Sequence, residues 1–308
     1  MRQIRPNLLM KNTIHRTEVF TMSFVIVTDS ACNLRHTFLL EHEIPVIPFS
    51  YFIDGEEHTC LGPEEFDGNA FYELLSNGGD VKTTLINEQR YTDYFEPILK
   101  DGKDILYVGM SSGISSSMNV ARLAARELGE EYADRKIVIF DCTTASLGEA
   151  IYVRAAIRLR AEGKTLAETA AHLLTMRSRV CSYLTVGDLM FLRRGGRVSN
   201  VAAIIGTVLG VKPLLHEEGA KIVAYGKTRG RKKALRTLAE ECITRMEDDV
   251  DQCVSIAHGG CEEDANYVAD LIREGKPGTE IAMEIYEPVT GSYVGPGTVA
   301  LFFVGKKD

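Results

Sequence analysis

The chain has 308 residues, 45% of them hydrophobic and 25% charged, with a net charge of −8 and a pI near 5.5. At about 100–200 residues per domain this is material for two domains with a substantial core, and it excludes a disordered or collagen-like chain. The acidic balance speaks against nucleic acid or an anionic membrane surface as the main partner. The longest apolar runs, such as Val201–Val211, fall well short of the roughly 20 residues of a membrane-spanning helix, so no integral membrane contact is expected.

The seven cysteines are odd in number and scattered, with no C-x-x-C pair, which fits a reducing cytoplasm and buried thiols. Only Cys253, His258 and Cys261 lie close enough to suggest a metal, and core thiols beside a strand end fit that grouping better. No metal or cofactor is expected. Residues 1–21 carry charges but lack the apolar stretch of a signal peptide. Residues 1–22 are read as a loose extension, with Met22 as the natural beginning.

From Ser23 onward, short β-branched runs alternate with amphipathic stretches, the pattern of βαβ units in an α/β protein. The pattern predicts a strand at Phe24–Thr28, a helix at Asn33–Glu43, a strand at Val46–Ile53 closed by Asp54-Gly55, and a helix at Pro63–Ser76. A loop is expected at Lys82–Asn87, then a helix at Gln89–Leu99, strand Asp104–Gly109, helix Ser116–Leu128, strand Lys136–Asp141 and helix Ala145–Ala161. This half, residues 23–163, reads as a doubly wound parallel sheet whose ligands sit at the carboxyl ends of strands. Gly163 and the capping box Thr165-Leu-Ala-Glu168 mark a boundary.

In residues 164–308, strand Val180–Val186 precedes helical segments at Leu189–Arg194 and Ser199–Leu209. Strands Lys212–Glu217 and Lys221–Tyr225 are joined by Glu218-Gly219, a hairpin signal. Helix Arg231–Met246, strand Cys253–His258, helix Glu262–Glu274 and strands Glu280–Tyr286 and Thr298–Val304 follow. A hairpin inside an αβ alternation predicts a second α/β domain with a mixed sheet.

Five serines fall within Ser111–Ser117, between a predicted strand and a predicted helix. Hydroxyls and free N–H groups at a helix N-terminus favour a carboxylate or phosphate; the same serines could equally cap the helix. Gly109-Met-Ser111-Ser-Gly113 also matches the G-x-S-x-G nucleophile elbow. A serine hydrolase would need an acid such as Asp141 or Asp188 and a base among His172, His216 and His258, of which His258 at a strand end suits best.

Thr28-Asp29-Ser30 closes the first strand at the ligand-bearing edge, but Ala31 replaces the second Asp of an aspartyl phosphatase, and helix capping is an equal reading. No nucleotide fingerprint is present. Arg193-Arg194-Gly195-Gly196-Arg197 gathers guanidinium groups on a glycine-permissive turn, suited to phosphate, carboxylate or partner contact. Lys227–Arg236 is a second basic run, placed where positive charge opposes the helix dipole and therefore better explained by a partner or phosphate.

Taken together, Ile26–Ser30, Lys82-Thr83-Thr84, Ser111–Ser115, Leu192–Ser199 and Gly291…Gly295-Pro296-Gly297 resemble the DegV family, over about residues 23–304. The resemblance implies a two-domain α/β fold that holds one long-chain fatty acid, such as palmitate, between the domains. It implies a cytoplasmic carrier, not an enzyme by itself, serving fatty acid metabolism through a separate kinase subunit that phosphorylates the carboxylate. Carried over by position, Thr83 would bond the carboxylate beside Thr84, with the Ser115 hydroxyl and Ser116 N–H completing the clamp. Asp29, Ser30 and Tyr293 would lie at the ligand, and Arg194, Arg197 and His258 at the phosphate or partner. The chain departs from the family pattern at Leu85-Ile86, at Ser116 and at Tyr293, where the family often has His. The alternatives left open are a hydrolase using Ser111 and a small-molecule sensor.

Overall fold

A computed structural model describes residues 24–199, 210–247 and 253–307. The predicted extension and most of the Ser199–Leu209 helix lie outside the described residues. In chain order the strands are β1 (Phe24–Asp29), β2 (Val46–Ile47), β3 (Ser50–Ile53), β4 (Glu56–Thr59), β5 (Val81–Thr84), β6 (Asp104–Gly109), β7 (Ile137–Asp141), β8 (Val180–Thr185), β9 (Val198–Ser199), β10 (Val211–Glu218), β11 (Lys221–Arg229), β12 (Cys253–His258), β13 (Glu280–Ile285) and β14 (Val299–Val304). The helices are α1 (His36–Glu41), α2 (Gly68–Ser76), α3 (Glu88–Lys100), α4 (Ser117–Glu131), α5 (Leu147–Ala161), α6 (Leu166–Met176), α7 (Met190–Gly195), α8 (Arg231–Arg245), α9 (Glu262–Gly275) and α10 (Pro288–Val294).

Three sheets result. β2-β1-β6-β7 is parallel, β4-β3-β5 is antiparallel, and β13-β12-β14-β8-β10-β11-β9 is mixed. α3 and α4 pack on one side of the parallel sheet and α5 and α6 on the other, the doubly wound arrangement expected for an apolar two-faced sheet. The mixed sheet alternates. Cys181, Tyr183, Leu301 and Phe303 face α8 and α9 in a core of their own, while Leu184, Ala300 and Phe302 join the main core.

α5 lies between the two larger sheets. It touches β1 and β6 on one side and β8, β12 and β14 on the other, and residues on every face of it are buried. Its exposed residues, Arg154, Arg158 and Ala161, fall on one narrow line at i, i+4 and i+7, which suits a largely enclosed helix. All strands of the two smaller sheets precede Gly163 and all strands of the mixed sheet follow it, which supports proposing the division of the chain there.

The sequence reading differs from the fold in specific places. Val46–Ile53 is two strands in two sheets, because Pro48 offers no N–H to continue a ladder. The helix expected from Asn33 begins at His36. Ser30–Cys32 forms a 3₁₀ turn instead, ended by Asn33 at φ 57°. The helix expected from Pro63 begins at Gly68, where Asp67 accepts a bond from Ala70 N. The loop expected at Lys82–Asn87 begins as strand β5, whose Val-Lys-Thr-Thr pairs with β3.

The hairpin and the capping box match expectation. Gly219 and Ala220 both have positive φ, as a two-residue turn between twisted strands requires, and Thr165 and Glu168 cap each other reciprocally. α10, absent from the sequence reading, is opened by Glu287, whose carboxylate accepts from Val289 and Thr290 N–H ahead of Pro288.

Candidate functional site

A cavity opens where the carboxyl ends of the parallel sheet meet the mixed sheet and α10, with about 940 Å³ of space including its open mouth. That is the size class of a ligand pocket, and its wall is mostly apolar, with Phe49, Met110, Leu184, Ile222, Val289 and Phe302 among its residues. One end carries hydroxyls. Thr83, at the end of edge strand β5, stands 2.7 Å from the Tyr293 hydroxyl on α10, either oxygen being able to donate. Ser115 and Ser116 line the same end, where α4 starts.

The serine loop is tied down from several directions. Ser115 Oγ donates to Ser117 Oγ at 3.0 Å and accepts from Ser117 N, while Ile86 N donates to Ser117 Oγ at 3.1 Å. That last bond fixes the Thr83-Thr84 segment against the start of α4. From the other half of the chain, the β10–β11 hairpin tip rests on this loop. Ser111 Oγ donates to Ala220 O at 2.8 Å, and a Cβ on Gly113 would sit 2.1 Å from that oxygen, so glycine is needed there.

Arg197 belongs to the site. Its guanidinium lies 4.6 Å above the Tyr293 ring and its Nε donates to Ile114 O at 3.2 Å, so a fixed positive charge stands beside the hydroxyl pair. Tyr293 approaches because Gly195 lacks a side chain: a Cβ there would meet the ring at 2.3 Å. Arg194 instead stacks on Phe191 and lines a separate outer groove, where Thr83, Arg197 and Tyr293 also show an edge.

The remaining predicted residues lie away from the cavity wall. Asp29 is buried and accepts three bonds, from Ala31 N, Tyr107 OH (2.7 Å) and Met110 N, so it anchors the loop that carries Met110 and Ser111. Burial pushes its carboxyl up to about 6 against those three donors. Ser30 Oγ accepts from Phe49 N, and Phe49 in turn lines the cavity. Both residues hold backbone that borders the cavity and do not line it themselves. His258 accepts from Cys261 N at 3.3 Å on β12, and burial lowers its pKa. It lies at neither the cavity nor the Ser111 hydroxyl, whose proton goes to Ala220 O. Asp141 is engaged by Ser112 N, Thr143 N and Arg122. Among the described residues no cluster of three or more metal-ligating side chains occurs, and no helix is long and apolar enough to cross a membrane.

Sequence reasoning missed Ser146, Ser182 and Glu217, all on the cavity wall, as are Thr290 on α10 and Tyr286 just ahead of it. The Glu287-Pro288 start of α10 is a readable helix signal. Ser182 and Glu217 are single residues whose inward aim depends on strand register, and Ser146 lies in the loop ahead of α5.

A family model described as "Uncharacterised protein, DegV family" matches residues 23–306. A DegV domain-containing protein of Clostridium perfringens is 36% identical over 283 residues, 92% of this chain and 97% of that protein. Among solved structures, a protein of Bacillus subtilis described as DegV, a fatty acid binding protein, is 26% identical with TM-score 0.79, covering 93% of this chain and all of that one. A fatty acid binding DegV family protein of Streptococcus agalactiae is 25% identical with TM-score 0.81, covering 92% and 99%. With the match running over nearly the whole described fold, this chain belongs to the DegV family.

Proposed function

We propose that the protein is a carrier that binds one long-chain fatty acid in this cavity and presents its carboxylate to a separate kinase subunit. What supports the reading most is the composition of the cavity: a mostly apolar wall with a cluster of neutral hydroxyls, Thr83, Tyr293 and Ser115, at one end. An acyl tail of about 15 methylenes, at about 0.8 kcal/mol each, contributes a gross 12 kcal/mol before association costs. Tail burial can therefore carry the affinity, and the head group needs orientation more than charge neutralisation.

In this assignment Thr83 donates to the carboxylate, Ser115 turns its one hydroxyl proton from Ser117 Oγ toward it, Tyr293 holds Thr83 in place, and the start of α4 and Arg197 supply a favourable field. The carboxylate stays at a mouth bordered by exposed Thr84, Leu85 and Ser116, where a partner can reach it. A carboxylate oxygen then attacks the terminal phosphorus of a nucleoside triphosphate held by the partner, forming an acyl phosphate and releasing the nucleoside diphosphate. The exposed Arg193 and Arg194 offer that partner a positive docking edge. Native mass spectrometry of the purified protein, followed by solvent extraction, tests the binding step. A bound mass of one fatty acid per chain is expected, and a chain that stays empty when fatty acids are added sinks the proposal.

A further inference from the structure

The cavity has two ends, and only one of them is explained by a carboxylate. Thr83, Arg197 and Tyr293 are shared with one outer groove, whereas Ser182 and Glu217 are shared with a different one that runs past Arg177, His216 and Lys307. Glu217 and Ser182 thus form a second partition of the cavity, on its β8–β10 side. Their inward aim follows from register: Leu215 of β10 stands opposite Leu184 of β8, and two residues further along each strand come Glu217 and Ser182, with Ile222 opposite Glu217 and Phe302 opposite Ser182. The neighbours on this face are apolar, as a wall around a saturated chain would be. Glu217 and Ser182 are not.

A second observation points to a ligand. Ser146 lines the same cavity, is 1% exposed, and its hydroxyl has no hydrogen-bond partner within the protein. It is held at φ 56°, ψ −138°, a backbone region that a serine adopts only under constraint, and it does not cap α5. Buried hydroxyls are ordinarily bonded, and strained residues gather at functional sites. Glu217 lies within reach of this loop, since the Ala145 N–H beside Ser146 faces its carboxylate.

We infer that this end of the cavity binds a hydroxyl on the acyl chain, so that the ligand class is a hydroxylated long-chain fatty acid. The inference rests on the carrier reading above. A chain hydroxyl can donate to a Glu217 carboxyl oxygen and accept from Ser146 Oγ–H, satisfying both at once. Burial pushes the Glu217 carboxyl up to about 7, held down by the Thr144 and Ser182 hydroxyls, Ala145 N–H and the Lys307 ammonium.

The test is competition for the lipid-stripped protein between stearate and a series of positional monohydroxystearates, using a polyene fatty acid as the fluorescent probe. At least one hydroxy isomer is expected to bind about tenfold or more tighter than stearate, the discrimination a polar subsite provides. That preference, read as the ratio of hydroxy-acid to stearate affinity within each variant, is expected to vanish in Glu217→Leu and to shrink in Ser146→Ala. Stearate binding as well as every hydroxy isomer overturns the inference and leaves the carrier reading standing, as does a preference that survives both substitutions. Failure of the probe and of every acid to bind overturns both.

Discussion

Replacing Thr83 with Val isolates the hydroxyl clamp, because it exchanges one oxygen for a methyl group of nearly the same size. Thr83 sits on an edge strand paired with Tyr51, where a β-branched residue is favoured, so the fold should tolerate Val with a thermal midpoint within a few degrees of the parent. The hydroxyl is 2.7 Å from Tyr293 OH and lines the cavity, so its loss removes one donor to the carboxylate and frees the tyrosine. A hydrogen bond to a charged group contributes a net of about 1.5–3 kcal/mol, which is about 10- to 150-fold in affinity. Titration of lipid-stripped protein with a polyene fatty acid whose emission rises on burial reads this directly. Tyr293→Phe should give a smaller loss, and the double variant less than the sum, since both act through one contact. Thr83→Val binding within about threefold of the parent, a difference under about 0.7 kcal/mol, would refute the clamp.

Asn33 bridges the two halves of the chain, donating to Ile285 O and accepting from Glu287 N while buried at φ 57°. Asn33→Ala should cost about 2–4 kcal/mol in denaturant unfolding and raise hydrogen exchange around Tyr286–Val289; unchanged exchange there would sink the bridge. Burial pushes the Glu287 carboxyl up to about 7 from an ordinary 4.5, so the stability it contributes is fully present below pH 4.5 and lost as pH rises through 7. Glu287→Gln should therefore be least stable relative to the parent at low pH and gain on it up to about pH 7, and a pH-independent difference in melting would contradict that. Ser111→Ala should cost on the order of 1 kcal/mol through the lost bond to Ala220 and leave any background esterase rate unchanged, whereas a lost esterase rate would restore the nucleophile reading.

Much of the fold was legible because its signals are local. Alternating apolar runs locate β1, β6 and β7, Gly219 marks the hairpin, and Thr165 with Glu168 announces α6. What was not legible depends on partners far along the chain. β5 reads as a loop because Val81–Thr84 is half exposed and acquires its role only by pairing with β3. The proposed clamp rests on the family resemblance at Thr83 and Ser115, which line one cavity together with Tyr293, a position where the chain departs from the family pattern. Asp29 and Ser30 stand at the expected strand end, yet their side chains are consumed by backbone N–H groups and Tyr107, a choice no spacing encodes. Glu217 is a strand-end carboxylate in sequence, and only the pairing of β8, β10 and β14 turns it inward.

The central claim is a fatty acid with its carboxylate at the Thr83 end of this cavity. A crystal structure of the protein loaded with palmitate tests it most directly. The account requires continuous density for the acyl chain inside the cavity, with carboxylate oxygens within about 2.5–3.2 Å of Thr83 Oγ1 and Ser115 Oγ. An empty cavity in a protein that still carries the lipid, or a carboxylate lying at the Glu217 end, would contradict it.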